Sequence, residues 1–177
     1  FMLGHSMGGV FATHYAAQHG DRLGGMILLN PWIGDTTKLK MGQVLSILLG
    51  GMRGSNKVVT FPDTKATGGM TTNPEAAALL ADDPFWVHSR TKGFYWQITM
   101  MRGQTMRYAK QITIPTLVMQ AERDLAVLPK ETRRAFDAIP AKDKTFISYP
   151  EYDHDSEFQP DRAKLDDDLA GWIKAHG

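Results

Sequence analysis

Two parts of the chain, near its beginning and near its end, alternate between short apolar runs and segments with helical spacing. Residues 1–3 form an apolar run that enters a glycine-rich turn, and residues 8–19 place apolar side chains at helical spacing. Residues 25–30 then form a continuous apolar run of strand length, which is typical of a strand covered on both faces. Strand, helix and strand in this order predict a βαβ unit and an α/β fold.

The same alternation returns near the end of the chain. Apolar runs at 114–120 and 144–149 predict two further strands, and the segment 129–138 between them predicts a helix. A final amphipathic helix has an apolar stripe formed by Leu165, Leu169, Trp172 and Ile173. We therefore expect residues 1–33 and 111–177 to form one α/β core, a mostly parallel sheet flanked by helices.

Residues 34–110 interrupt the alternation and predict a helical cap inserted between two core strands. An apolar helical segment around Leu45 and Leu48 precedes three glycines that predict its end, namely Gly50, Gly51 and Gly54. Thr72-Asn73-Pro74-Glu75 has the form of a helix start, and residues 94–106 form an aromatic-rich, helix-like stretch. Six of the ten methionines lie in this insertion. They either offer an adaptable surface to acyl chains or pack the insertion's own core.

Composition and charge narrow the class of function. With 177 residues, 42% of them hydrophobic, the chain is long enough for one domain with a substantial core. The net charge of +1 does not indicate a nucleic-acid partner, and no apolar run reaches the ~20 residues of a membrane span. Because there is no cysteine, disulfides, thiol catalysis and cysteine zinc sites are excluded, while the cellular compartment stays open.

The candidate chemistry begins at Gly4-His5-Ser6-Met7-Gly8, between the first predicted strand and helix. Gly-x-Ser-x-Gly at such a turn is the pattern of a nucleophile elbow, which holds a strained serine above the sheet. The backbone N–H of Met7 would then point to the oxyanion of an acyl transfer. The alternative is a glycine-rich turn with an ordinary serine, but the strand before it and the helix after it favour the elbow.

An acid and a histidine follow two later strands. Asp124 comes after the strand at 114–120 and His154 after the strand at 144–149, and the carboxyl ends of parallel strands meet at one edge of a sheet. We therefore expect Ser6 to be the nucleophile, His154 the base and Asp124 the acid that orients it. The alternatives are a capping role for Asp124, a solvated loop role for His154, and another acid in place of Asp124, namely Glu122, Asp153 or Asp155.

These motifs together resemble the monoacylglycerol lipase and lysophospholipase branch of the α/β-hydrolases. The resemblance rests on the segments Gly4-His5-Ser6-Met7-Gly8-Gly9, Thr72-Asn73-Pro74-Glu75 and Ile114-Pro115-Thr116-Leu117-Val118, and on the step of about 30 residues from Asp124 to His154. It implies a serine hydrolase that cleaves carboxylic esters of lipid-like substrates, such as monoacylglycerols or lysophospholipids, without a metal or organic cofactor. The chain departs from the family at Ala121 and Glu151, where glycine is usual.

The resemblance also implies where substrate and partners bind. We expect the small-molecule ester to contact His5, Trp32, Leu48 and Met101, and the cap to make transient contact with a membrane or micelle. The family's first strands and its second oxyanion donor would precede Phe1. We therefore expect half an oxyanion hole and an exposed apolar edge on the nucleophile strand, open to pairing with another chain.

Other functions fit the same scaffold. They are a carboxylesterase for small substrates, an acyltransferase, and an aminopeptidase in which Asp82 and Asp83 of the cap would bind a free amine. A non-catalytic binding module is the alternative of a different class.

Overall fold

The computed structural model describes residues 1–34, 41–52, 56–60, 70–85, 87 and 89–177. In chain order its elements are β1 (Met2–His5), α1 (Met7–His19), β2 (Met26–Leu29), α2 (Met41–Met52), β3 (Val58–Thr60), α3 (Pro74–Ala81), β4 (Ser89–Thr91), α4 (Lys92–Ala109), β5 (Thr116–Ala121), α5 (Pro129–Ala138), β6 (Lys144–Tyr149) and α6 (Ala163–His176). Short 3-10 turns follow α1 and precede α6.

Four strands form a parallel sheet in the order β1-β2-β5-β6. The predicted α/β class is therefore confirmed, and the four predicted core strands are present with small differences at their ends. Among the described residues β1 lies at an edge of this sheet, where the side chains of Phe1 and Leu3 are 46% and 47% exposed. Parallel strands end at a common edge, so the residues that follow them are brought together there.

The continuous apolar run of β2 is explained by two core clusters, one on each face of the sheet. Met26 and Leu28 pack with alanines of α1 and α4 on one face. Ile27 and Leu29 pack on the other face with Trp172 of α6 and neighbouring residues. Because successive side chains of a strand point to opposite faces, a strand covered on both sides must be apolar at every position.

The insertion, which we define as the described residues within 34–110, is not entirely helical. β3 and β4 pair as a short antiparallel sheet that the sequence did not predict. β4 consists of Ser89, Arg90 and Thr91 and has no apolar alternation, so its sequence gave no strand signal. The helix start at Asn73 is confirmed, since its side chain accepts hydrogen bonds from the backbone N–H groups of Glu75 and Ala76.

The predicted end of α2 is wrong, because the helix continues through Gly50 and Gly51 to Met52. The reason is packing: a Cβ on Gly50 would lie 2.4 Å from Cδ of Lys92 at the start of α4. This glycine lets two helices approach rather than ending one of them. Gly54, the third predicted stop, lies outside the described residues. α4 is also longer than the predicted 94–106, and no helix in the described ranges is long and apolar enough to cross a membrane.

Candidate active site

Ser6 occupies the turn between β1 and α1 in a strained backbone conformation, with φ 51° and ψ −119°. The turn is possible because strand and helix cross closely: a Cβ on Gly4 would lie 2.3 Å from the backbone oxygen of Gly8. Two backbone hydrogen bonds fix the serine. The backbone N–H of Ser6 donates to the backbone oxygen of Leu29, and the backbone oxygen of Ser6 accepts from the N–H of Trp32. A positive φ at a non-glycine residue marks stored strain, as the elbow requires.

The Asp124 carboxylate and the His154 imidazole form a buried pair. Nδ1 of the ring lies 2.7 Å from Oδ2 of Asp124, and both side chains are fully buried. The other carboxylate oxygen accepts the N–H groups of Ala126 and Val127, each at 2.8 Å. With Nδ1–H donated to the carboxylate, the neutral ring presents Nε2 as its basic nitrogen.

Nε2 of His154 has no hydrogen-bond partner among the described residues. Ser6 and His154 line one cavity, but the bond between the serine hydroxyl and Nε2 is not formed in this structure. Such bonds are often long before substrate binds. The imidazole of His5 lies against His154 instead, with ring centroids 5.0 Å apart and its Nε2 3.2 Å from the backbone oxygen of His154.

The three rival acids have other surroundings. Glu122 accepts from the hydroxyl of Ser148 on the outside of the sheet. Oδ2 of Asp153 accepts from the backbone N–H and hydroxyl of Thr72 and from Nε2 of Gln159, at 2.7, 2.5 and 3.1 Å. Asp155 faces the cavity. Asp124 is thus the acid bonded to the His154 ring in this structure, and Asp153 joins the histidine loop to the insertion.

Two further hydrogen bonds join the insertion to the histidine loop. The N–H of Asp155 donates to the oxygen of Met70, and Nδ2 of Asn73 donates to the oxygen of Phe158. The residues before α3 are therefore bonded to both sides of His154. Since α3 lies beside the cavity, the insertion and the histidine loop are mechanically coupled.

Asn30 is a positioning residue that the sequence analysis did not identify. It follows β2 with φ 42° and is fully buried. Its Nδ2 donates to the backbone oxygen of His154 at 2.6 Å and to Oγ of Ser156 at 2.8 Å, while its Oδ1 accepts the N–H of Ala121 at 2.7 Å. It therefore ties the ends of two strands to the histidine loop. The available signal was an asparagine, which tolerates positive φ, directly after a buried apolar run.

A cavity of about 630 Å³ lies over Ser6 and His154, which is the size of a small-molecule site. Apolar side chains dominate its wall, and those from the insertion are Met70, Leu80, Phe94 and Ile98. Its polar groups include His5, Arg90, Tyr95, Asp155 and Glu157. Trp32, a predicted substrate contact, also lines the cavity, and its role stays a prediction. Leu48 and Met101, predicted for the same role, are not among the described residues that line it.

The position of Met7 fits the predicted oxyanion donor, which stays a prediction. Met7 is the first residue of α1 and lines the cavity. The first N–H groups of a helix have no carbonyl four residues earlier in the helix, so they are available to a ligand, and the helix dipole adds positive potential there.

Burial shifts two titrating groups beside the base. Burial, followed by the charge of Glu157, raises the pKa of Asp155 from 3.8 to about 6. Burial also lowers the pKa of His5, although the Glu157 carboxylate acts in the opposite direction. The surroundings of His5 therefore favour its neutral form, and Asp155 keeps a proton to a higher pH than an exposed carboxyl does.

Comparison with known proteins identifies the relatives of this chain. The family model described as serine aminopeptidase, S33 (Hydrolase_4) matches residues 1–161. The chain is 25% identical over 181 residues to the monoacylglycerol lipase of Mycolicibacterium smegmatis, an alignment that covers 99% of this chain and 62% of that lipase. The chain spans less than two thirds of the length of the curated relatives it matches.

Solved structures of low sequence identity share the fold. The monoacylglycerol lipase of Paleococcus ferrophilus matches with a TM-score of 0.90 and 20% identity, over 99% of this chain and 68% of that one. A soluble variant of the Saccharomyces cerevisiae monoglyceride lipase, in complex with a substrate analog, matches with a TM-score of 0.86 and 24% identity, over 99% of this chain and 61% of that one.

Proposed function

Because the chain belongs to the serine aminopeptidase S33 (Hydrolase_4) family and has an α/β-hydrolase fold, we propose that it cleaves carboxylic esters of lipid-like substrates. One observation supports this proposal most strongly. Asp124 and His154 form a buried pair, Nε2 of His154 has no hydrogen-bond partner among the described residues, and His154 lines the same cavity as the strained Ser6. These are the parts of a charge-stabilised base next to a nucleophile.

In the proposed reaction the Ser6 hydroxyl attacks the ester carbonyl carbon while Nε2 of His154 takes its proton. The same nitrogen returns that proton to the leaving alcohol, and a water molecule activated by His154 then hydrolyses the acyl-enzyme. Asp124 holds Nδ1–H in place and stabilises the imidazolium. The N–H of Met7 stabilises the oxyanion as one of its donors.

The lipid-like substrate is supported by the cavity wall and by the relatives. Apolar side chains from the insertion line the same cavity as Ser6, and such a wall suits an acyl chain better than a polar group. The related proteins include monoacylglycerol lipases. Exposed apolar side chains on the insertion would serve contact with a micelle or membrane, and they are Leu45, Leu48, Leu49, Val58, Leu79, Phe85, Val87 and Met100.

An aminopeptidase is the second candidate, and a specific observation favours it. Asp155 and Glu157 place two carboxyl groups in the cavity, where they could hold the amine of a peptide substrate. The cap acids Asp82 and Asp83, which the sequence suggested for this role, do not line the cavity among the described residues.

Substrate profiling separates the two candidates. The purified chain is assayed with monoacylglycerols of graded acyl length, with short p-nitrophenyl esters and with aminoacyl p-nitroanilides. We expect ester cleavage that is strongest for medium or long acyl groups and is lost in Ser6→Ala. Ser148→Ala is the matched control, since this exposed serine lies outside the cavity. Preferred cleavage of the anilides would contradict the lipid-ester proposal and support the aminopeptidase.

A further inference from the structure

Three potential metal ligands converge beside the proposed base. His5, His154 and Asp155 can each offer one ligand atom, and these atoms lie within 4.8 Å of one another. Tetrahedral zinc with bonds of about 2.0–2.1 Å would hold its ligand atoms about 3.4 Å apart, so modest side-chain rotations would close the site. The sequence did not suggest such a set, because His5 is separated from the other two by nearly the whole chain.

Both histidines are already oriented as metal ligands usually are. Metal-binding histidines generally donate their second ring N–H to a carboxylate or a backbone carbonyl. Nδ1 of His154 is bonded to Asp124, and Nε2 of His5 lies 3.2 Å from the backbone oxygen of His154. Each ring therefore keeps one nitrogen for a ligand, and that of His154 is a buried atom without a partner.

The charge around the cluster suits a divalent cation. Glu157 lines the same cavity, and the carboxylate of Asp124 lies directly behind His154. Two imidazoles and a carboxylate favour Zn²⁺ or Cu²⁺, whereas Mg²⁺ and Ca²⁺ prefer sites built from oxygen alone.

We propose that His5, His154 and Asp155 form an inhibitory binding site for Zn²⁺ and similar transition-metal ions. A bound ion occupies Nε2 of His154, the atom that must accept the Ser6 proton, and leaves its fourth position to water. Metal binding depends only on these three side chains, whereas inhibition also rests on the proposed function. The two can therefore be tested separately.

Binding is measured first by calorimetric titration of the apo chain with Zn²⁺ and by the visible spectrum with Co²⁺. We expect one site per chain and a tetrahedral Co²⁺ spectrum, with no binding of Mg²⁺. His5→Asn and Asp155→Asn should each weaken Zn²⁺ binding by more than about tenfold. Circular dichroism verifies that each variant is folded, and using two independent variants keeps the test valid if one of them is not.

Two further variants serve as controls. His176→Gln removes a half-buried histidine that pairs with Asp143 and does not line the cavity, and it should leave Zn²⁺ binding unchanged. Ser6→Ala should keep Zn²⁺ binding although it abolishes any hydrolysis, so failure of the proposed function would not obscure the binding result. Binding that survives in both His5→Asn and Asp155→Asn, or that is lost in His176→Gln, would overturn the proposal.

If the chain hydrolyses esters, Zn²⁺ should inhibit it reversibly, and a chelator should restore the rate. For each variant, the inhibition constant is determined from rates expressed relative to that variant's own rate without metal. This normalisation is needed because the substituted residues line the cavity and can change the basal rate. Inhibition that is equally strong in Asp155→Asn and in the parent would contradict the assigned ligand set.

Discussion

Replacing Asn30 tests how the histidine loop is held. The Asn30→Ala variant removes the acceptor for the buried N–H of Ala121, which lies beyond the last β2–β5 pair, Leu29 with Met119. An orphaned buried donor costs about 1–3 kcal/mol. The backbone oxygen of His154 also contacts Nε2 of His5, and Oγ of Ser156 also donates to the oxygen of Asp153, so losing Nδ2 costs less at those two groups.

The backbone conformation of Asn30 makes a second contribution to the change in the free energy of unfolding. Asn30 has φ 42°, which a residue with a Cβ adopts at a cost of about 1–2 kcal/mol and glycine adopts freely. Glycine also has more freedom in the unfolded chain, which offsets part of this advantage. We therefore expect Asn30→Ala to lower the free energy of unfolding by about 1–3 kcal/mol and Asn30→Gly to lower it by about 1 kcal/mol less.

Urea unfolding of the parent and both variants, followed by fluorescence and circular dichroism, measures these differences. The slopes of the transitions should agree, so that the midpoints report stability alone. An Asn30→Ala variant that loses less than about 1 kcal/mol would refute the hydrogen-bond argument. Equal losses in the two variants would refute the argument from positive φ.

Two other predictions use the elbow and the cavity. Gly4→Ala should lower the free energy of unfolding by about 1–3 kcal/mol, because the new Cβ would lie 2.3 Å from the backbone oxygen of Gly8. Gly8→Ala is the matched control. It should be neutral or slightly stabilising, since a Cβ at this helical position meets nothing within 4 Å. Urea unfolding checks both, and equal effects would contradict the close crossing. The raised pKa of Asp155 means that the parent loses stability as this carboxyl ionises. Asp155→Asn should therefore be more stable than the parent at pH 8. The difference in stability should shrink as the pH falls from about 6 towards 3.8. A stability difference that does not change with pH would show that Asp155 is not a buried carboxyl.

The core could be predicted because its signals are local. β2 and β5 are covered on both faces, so their apolar runs identify them without knowledge of their neighbours. The start of α5 at Pro129 follows from the fixed φ of proline, which suits the first turn of a helix. The positions of Asp124 and His154 after their strands follow from the shared edge of a parallel sheet.

The insertion could be predicted less well because its structure depends on distant contacts. Gly50 packs against Lys92 rather than ending α2, and β4 is a strand only because β3 pairs with it. Leu48 and Met101, the predicted substrate contacts on α2 and α4, do not line the cavity among the described residues, and periodicity alone does not determine which face of a helix turns towards a cavity. The contact of His5 with His154 joins residues 149 positions apart, which no local pattern can reveal.

The central claim is that Ser6 is an activated nucleophile with His154 as its base. Intact mass after exposure to a fluorophosphonate probe tests it directly, with Ser6→Ala, His154→Ala and the exposed-site control Ser148→Ala treated in parallel. The account predicts one adduct on the parent and on Ser148→Ala, and none on the other two variants. A folded parent chain that forms no adduct, or an adduct that persists in Ser6→Ala, would contradict the claim and favour a non-catalytic binding module.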